Sequence, residues 1–233
     1  ADYSMDGRAD LLVTNSREQL HAAYRSRPSA SAPSFVDARP ELAAPFGTES
    51  TGWGASWVDL NLDGDLDVVV ANGAIPVMNL AKNAQRIAVL ENLAKPGKNT
   101  RFAPAAVGLR RAPRVNGRGL AAADYDNDGD LDVAVNSIGG RLILLRNDVA
   151  QGHWLEVRLS TFAPGAIVTA VLPDGRRLVR EVLAGSSYLS SEDPRVHFGL
   201  GDVTSVRELR VRFPDGREVR RADVAADRIV AVG

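Results

Sequence analysis

Three times along the chain a charged, glycine-bearing loop gives way at once to a short apolar run: "LLVT" from Leu11, "VVVA" from Val68 and "VAVN" from Val133. Runs this short, rich in β-branched residues, predict strands and exclude amphipathic helices. Upstream, "GWGASWVD" and "GRGLAAAD" place Gly52 with Gly54, and Gly117 with Gly119, at equal distances before Asp59 and Asp124. A strand of small residues therefore enters each of these loops. Downstream, "IAVLENL" (Ile87 to Leu93) and "LILLRND" (Leu142 to Asp148) read as third strands, and "PSFVDARPELAAPFG" and "TRFAPAAVGLR" occupy equivalent places before the glycine pairs.

After Asn147 the pattern changes. "HWLEVRLS", "GAIVTAVLP", "RRLVREVLA" and "RELRVRFP" alternate apolar and polar residues, the period of half-buried strands. "PDG" at Pro173 to Gly175 and again at Pro214 to Gly216 marks two reversals. The chain thus divides into repeated blades over residues 1–150 and a small antiparallel β domain over 151–233, all-β throughout.

The loops align on their first aspartate, at residues 2, 59 and 124. The first copy holds Asp2, Ser4, Asp6, Arg8 and Asp10; the second Asp59, Asn61, Asp63, Asp65 and Asp67; the third Asp124, Asp126, Asp128, Asp130 and Asp132. Oxygen side chains fall at positions 1, 3, 5 and 9, with glycine at 6. Carboxylates so crowded repel one another by about 1 kcal/mol per pair even in water-like surroundings, so a cation belongs among them. Ca²⁺ takes six to eight oxygens at about 2.3–2.6 Å, which a tight loop of alternating side chains can aim at one point. Position 7 varies (Arg8, Asp65, Asp130), as expected where a backbone carbonyl is the ligand. An EF-hand would need glutamate at position 12, which here is Val13, Val70 and Val135, and helices on both sides. Carboxylate count ranks the third loop as the tightest site and the first as the weakest.

The stretches "WVDLNLDGDLDVVVAN" and "AADYDNDGDLDVAVN" resemble FG-GAP or VCBS repeats, the calcium-loop blades of integrin-α-type propellers. The resemblance implies Ca²⁺ at the loop positions named above and a partial propeller, with blades upstream or a partner chain completing the ring. "GAIVTAVLPDGR", "VLAGSSYLSSEDPRVHFGLGDV" and "VRELRVRFPDGRE" resemble the ASPIC/UnbV domain, found in the cartilage acidic protein family. Ser160 to Pro164 departs from that family's Asn-Arg pair and glycine cluster, and the resemblance implies no established chemistry.

Composition narrows the function. The 233 residues carry 28 basic and 29 acidic side chains, for a formal charge of -1, which gives no global field for nucleic acid or an anionic membrane. No apolar run is long enough to span a bilayer, and the absence of cysteine excludes disulfides and thiolate chemistry. No hydrolase, zinc-protease or phosphate-loop motif appears, and no catalytic residue is assigned. His197 reads as a core or edge residue, Trp57 as core, and Trp53 as an exposed contact. The arginines from Arg207 to Arg221 read as a solvated sheet face.

The expected function is a calcium-stabilised adhesion or assembly module, secreted, cell-surface or periplasmic, with a protein or glycan partner. A glycan-active enzyme or a lectin built on the propeller is the alternative.

Overall fold

The computed structural model describes residues 1–41, 49–93, 102–105, 109, 112–148 and 152–233. The boundary expected at 150/151 and the last residues of "PSFVDARPELAAPFG" lie outside the described residues, as does much of "TRFAPAAVGLR".

Three antiparallel sheets form a stack. The first joins β1 (Leu11–Val13), β2 (Ala22–Arg27) and β3 (Ser34–Asp37). The second takes β4 (Gly52–Val58), β5 (Asp67–Asn72), β7 (Ala88–Asn92) and β8 (Phe102–Pro104). The third takes β10 (Gly117–Ala123), β11 (Asp132–Ser137) and β12 (Ile143–Leu145). Between the second and third, β6 (Gln85–Arg86) pairs with β9 (Arg114–Val115). Among the described residues the sheets do not close into a ring.

Strand β5 is buried at every residue because it has a core on each face. Val68 and Val70 pack with Tyr3, Ala23 and Phe102 toward the first sheet, while Val69 and Ala71 pack with Leu120, Val133 and Val135 toward the third. A strand buried on both faces cannot show the two-residue alternation, which explains the unbroken "VVVA".

The glycine pairs mark β-bulges: the β4–β5 register shifts between Gly52 and Ala55, and the β10–β11 register between Gly117 and Leu120. They also let successive blades touch backbone to backbone. A Cβ on Gly54 would lie 2.7 Å from the Arg118 carbonyl and 2.8 Å from the Leu120 amide, and one on Gly117 would lie 2.9 Å from the Asn72 carbonyl.

Residues 152–233 build two sheets around one core. One orders β16 (Val196–Gly201), β13 (His153–Leu159) and β19 (Arg228–Val232); the other orders β15 (Arg177–Glu181), β14 (Ile167–Val171), β17 (Ser205–Arg212) and β18 (Glu218–Ala225). Leu155, Val168, Phe198, Leu209 and Val211 meet between them. Both "PDG" turns close hairpins, β14–β15 and β17–β18, as expected. The domain is not wholly antiparallel, because β19 runs parallel to β13. The last strand reaches that edge by crossing over from β18, a connection that alternation alone does not reveal.

Gly54→Ala should destabilise the protein by about 1–3 kcal/mol, since the added methyl meets backbone that cannot rotate away. Gly185→Ala is the control, as its Cβ would meet nothing within 4 Å. Urea unfolding of the two variants checks this, and equal midpoints would refute the close approach of the blades.

Candidate metal centre

The three loops share one internal hydrogen-bond pattern. The position-1 carboxylate accepts the amides of positions 5 and 6: Asp2 from Asp6 and Gly7 at 3.0 and 2.9 Å, and Asp124 from Asp128 and Gly129 at 3.1 and 3.0 Å. Asp59 takes the amide of Gly64 at 2.9 Å. The position-5 carboxylate accepts the amide of position 7, as Asp6 from Arg8, Asp63 from Asp65 and Asp128 from Asp130 at 3.0, 2.8 and 3.0 Å. Such wrapping needs two left-handed residues per loop. Position 6 supplies one (Gly7, Gly64 and Gly129 at φ 84, 94 and 98°), and position 4 the other (Met5, Leu62 and Asn127 at φ 56, 59 and 59°).

The position-9 aspartates act differently from the others. Each carboxylate joins its own loop to the end of the third strand of its blade: Asp10 accepts the amides of Ser4 and Ser26, Asp67 those of Leu60 and Asn92, and Asp132 those of Tyr125 and Asn147. These bonds leave each carboxylate further lone pairs, but its first task is to clamp the blade.

The asparagines at that strand end were not singled out by spacing, although "LEN" and "LRN" share them. Asn92 Nδ2 reaches the Tyr3 carbonyl of the preceding loop at 3.3 Å, and Asn147 Nδ2 reaches the Leu60 carbonyl at 2.9 Å. Each pins a blade to the loop before it.

The third loop brings Asp124, Asp126 and Asp128 together, one oxygen of each lying within 4.8 Å of the others. Among the described residues they form the one acidic group so close. Asp132 stands aside in its clamp, and the Arg146 guanidinium contacts Asp126 at 3.2 Å and Asp128 at 3.4 Å.

In the second loop Asn61 Nδ2 donates to Asp63 at 3.0 Å, Asp65 is buried, and the buried Asp59 Oδ1 has no partner among the described residues. In the first, Arg8 pairs with Asp6, and the buried Ser4 hydroxyl oxygen lacks a partner among the described residues.

Burial pushes these carboxyls up. Desolvation first, then the Asp63 charge, takes Asp59 and Asp65 each to about 7. Desolvation takes Asp67 to about 8, against the pull of the Asn92 and Leu60 amides. Asp2, Asp63, Asp124 and Asp132 are raised for the same first reason. Hard oxygens gathered, desolvated and short of positive charge form a donor set that fits a hard divalent cation. An orphaned, fully desolvated carboxylate oxygen on Asp59 points the same way.

The C-terminal domain docks on these loops, which sequence reasoning did not foresee. Asp59 Oδ2 also accepts the Gly199 amide at 3.1 Å, and the Leu62 carbonyl accepts the Gly201 amide at 2.6 Å. Arg180 donates to the Gly64 carbonyl at 3.0 Å. On the third loop Arg195 reaches the Asp124 carbonyl at 2.5 Å and Asn127 Oδ1 at 2.7 Å, while it is held by Glu156 and Asp193. His197 is a docking residue rather than a catalyst. Burial pushes its imidazole down to about 4, so it is neutral and donates from Nε2 to the Gly129 carbonyl at 2.8 Å.

Trp53 is not the exposed contact expected of it. Its Nε1 donates to the Gly73 carbonyl at 2.7 Å, Arg118 lies 4.0 Å over its ring, and Tyr188 packs edge-on at 4.9 Å. Trp57 stacks on Tyr3 at 5.0 Å beside the core, as expected.

Comparison with known proteins agrees with this architecture. Residues 2–70 match the family described as FG-GAP-like repeat, and residues 156–233 match ASPIC and UnbV. Cartilage acidic protein 1 of Mus musculus is 28% identical over 247 aligned residues, covering 100% of this chain and 35% of that protein. The proteins of that name from Homo sapiens and Xenopus tropicalis are 33% and 31% identical over 117 and 118 residues, each covering 47% of this chain and 18% of the relative. The chain thus spans about a third or less of the length of these relatives. No helix among the described residues is long and apolar enough to cross a membrane.

A pH dependence follows from the raised carboxyls. Asp59, Asp65 and Asp67 hold protons in the folded state up to about 7, 7 and 8, but release them near the ordinary aspartate value of 3.8 when unfolded. The native state therefore binds more protons between these limits, and stability falls as pH rises through that window. Urea midpoints of the chelator-treated protein should decrease from pH 5 to pH 8. A rising midpoint would refute the burial of these charges.

Proposed function

We propose that the chain is a calcium-stabilised recognition module of an extracytoplasmic protein, acting in adhesion or assembly through a protein or glycan partner. One observation supports this reading above the rest: one loop framework with desolvated aspartates recurs three times, and in the third loop it brings oxygens of Asp124, Asp126 and Asp128 within 4.8 Å of one another. Asp124, Asp126 and Asp128 would hold the ion in the third loop, and Asp59, Asp63 and Asp65 in the second. The first loop, with Ser4 at position 3 and Arg8 paired to Asp6, offers the poorest set. Bound Ca²⁺ would supply positive charge and a fixed coordination geometry.

The chain's own residues set what that ion can do. The C-terminal domain bonds the second and third loops directly, and nothing in the loops resembles a helix pair that opens on binding, so the role is structural. Extracellular modules bind calcium at about 10⁻⁴–10⁻³ M, concentrations that the cytosol does not reach, which supports a secreted, cell-surface or periplasmic setting. The relatives' name, cartilage acidic protein, accords with an extracellular one.

Melting in EDTA and in millimolar Ca²⁺ tests the proposal. A ligand bound only to the native state adds about 2.7 kcal/mol at a hundredfold excess over Kd, so the melting temperature should rise clearly with calcium. An identical melting temperature would remove calcium from the account.

Arg146 gives a sharper test. Its charge opposes a cation at Asp126 and Asp128. Arg146→Ala should tighten the third site severalfold, because it removes a positive charge that competes with the ion for the oxygens of Asp126 and Asp128. Calcium titration checks this, and weakened binding would show that Arg146 supports the site instead.

A further inference from the structure

Beyond the loops, the outer face of the β15–β14–β17–β18 sheet and the first loop enclose a groove of about 600 Å³. Register explains what lines it. Thr169 on β14 lies opposite Arg210 on β17, Ile167 opposite Arg212, and Val171 opposite Arg177 on β15. Successive strands lie about 4.8 Å apart and each residue advances about 3.4 Å along a strand, so Arg177, opposite Val171, and Arg212, opposite Ile167, flank the central strand from two sides at opposite ends of the groove, roughly 16 Å apart at their backbones. Arg8 closes the groove from the first loop.

Arg8 and Arg210 have carboxylate partners: Asp6 for the first, and Glu208 and Glu218 for the second. Arg177 and Arg212 have no ion pair among the described residues. Four guanidinium groups thus face two lining carboxylates, Asp6 and Glu218, across one recess. This is the inverse of the acidic loops, a concentration of one charge without enough of the other.

We infer that this groove binds the oxyanion groups, sulfate or carboxylate, of an acidic glycan strand. Guanidinium forks match the planar oxygens of such groups in bidentate fashion. The groove has no aromatic side chain on which a base could stack, which favours a sugar oxyanion over a nucleic acid. The inference rests on the recognition reading and names the chemistry of its partner. It does not depend on calcium, because the sheet that carries Arg177 and Arg212 has its own core.

The test is calorimetric titration of the full chain in calcium, at physiological ionic strength, with a sulfated hexasaccharide, its desulfated counterpart and single-stranded DNA of equal charge. The sulfated sugar should bind, the desulfated one much more weakly, and the DNA no better than the desulfated sugar. Arg177→Ala and Arg212→Ala should each weaken binding about tenfold, the worth of one charge-assisted hydrogen-bonded pair, with melting unchanged. Arg221→Ala makes the same charge change opposite Leu209, on the other face of the sheet, and should leave binding intact. No binding of the sulfated sugar, equal loss in all three variants, or DNA as the tighter ligand would each overturn the inference. If the sulfated sugar fails while calcium still raises the melting temperature, the groove alone is refuted and the calcium reading stands.

Discussion

The structure depends on aspartates that fold each loop back onto its own backbone. A position-1 carboxylate that accepts two amides fixes the turn, and a position-9 carboxylate that accepts two more ties that turn to the end of its blade. Both are buried, and their desolvation is only partly offset by neutral N–H donors, so the carboxyls remain raised. The loops are thus locally ordered by hydrogen bonds and hold carboxyls stripped of water. That second condition is what the proposed cation would answer, and it separates these loops from a set of solvated turns.

Everything packed on the loops uses their backbone. Asn92 and Asn147 bond carbonyls in the loop of the preceding blade, so blade stacking is set by loop shape as well as by the apolar cores. The C-terminal domain does the same through Arg180, Arg195, His197 and Gly201, and adds a bond from the Gly199 amide to the Asp59 carboxylate. Close approach is permitted by missing side chains. A Cβ at Gly199 would meet Asp59 Oδ2 at 2.3 Å, and one at Gly129 would meet the Trp154 ring at 2.1 Å. The glycine at position 6 therefore serves both the turn and, in the third loop, the docking of the next domain.

The loops, the strands that leave them and the strands of small residues that enter them were legible in the sequence, because each rests on local spacing: alternating aspartates, glycine at 6, and short apolar runs. Strand β2 was not, since "AAYRSR" has no clean alternation of apolar and polar residues. Strand β19 pairs in parallel with β13, some seventy residues away in sequence, and no local pattern encodes a partner at that distance. The left-handed residue at position 4 was visible only at Asn127; Met5 and Leu62 give no hint of it, and the hydrogen bonds around them impose it. Trp53 misled because flanking glycines suggest exposure, whereas here they make room for Arg118 and Tyr188 to cover the ring.

Carboxylate count and surroundings rank the two better loops differently. The third loop holds five aspartates, yet the side chains of Asp126 and Asp128 remain 25 and 36% exposed, and Arg146 already supplies a positive charge there. The second holds fewer carboxylates, but folding has removed water from Asp59, Asp65 and Asp67 and placed the C-terminal domain over Asp59. Coulomb attraction grows as the effective dielectric falls, so each buried carboxylate attracts a cation more strongly than each exposed one. Because the protein fold has already stripped those groups of water, a cation entering the second loop meets less opposing solvation from its ligands than one entering the third. The same cover over Asp59 restricts the path in and out. An ion in the second loop would therefore exchange slowly and act as a fixed part of the junction between blades and domain, while one in the third would respond to the surrounding concentration.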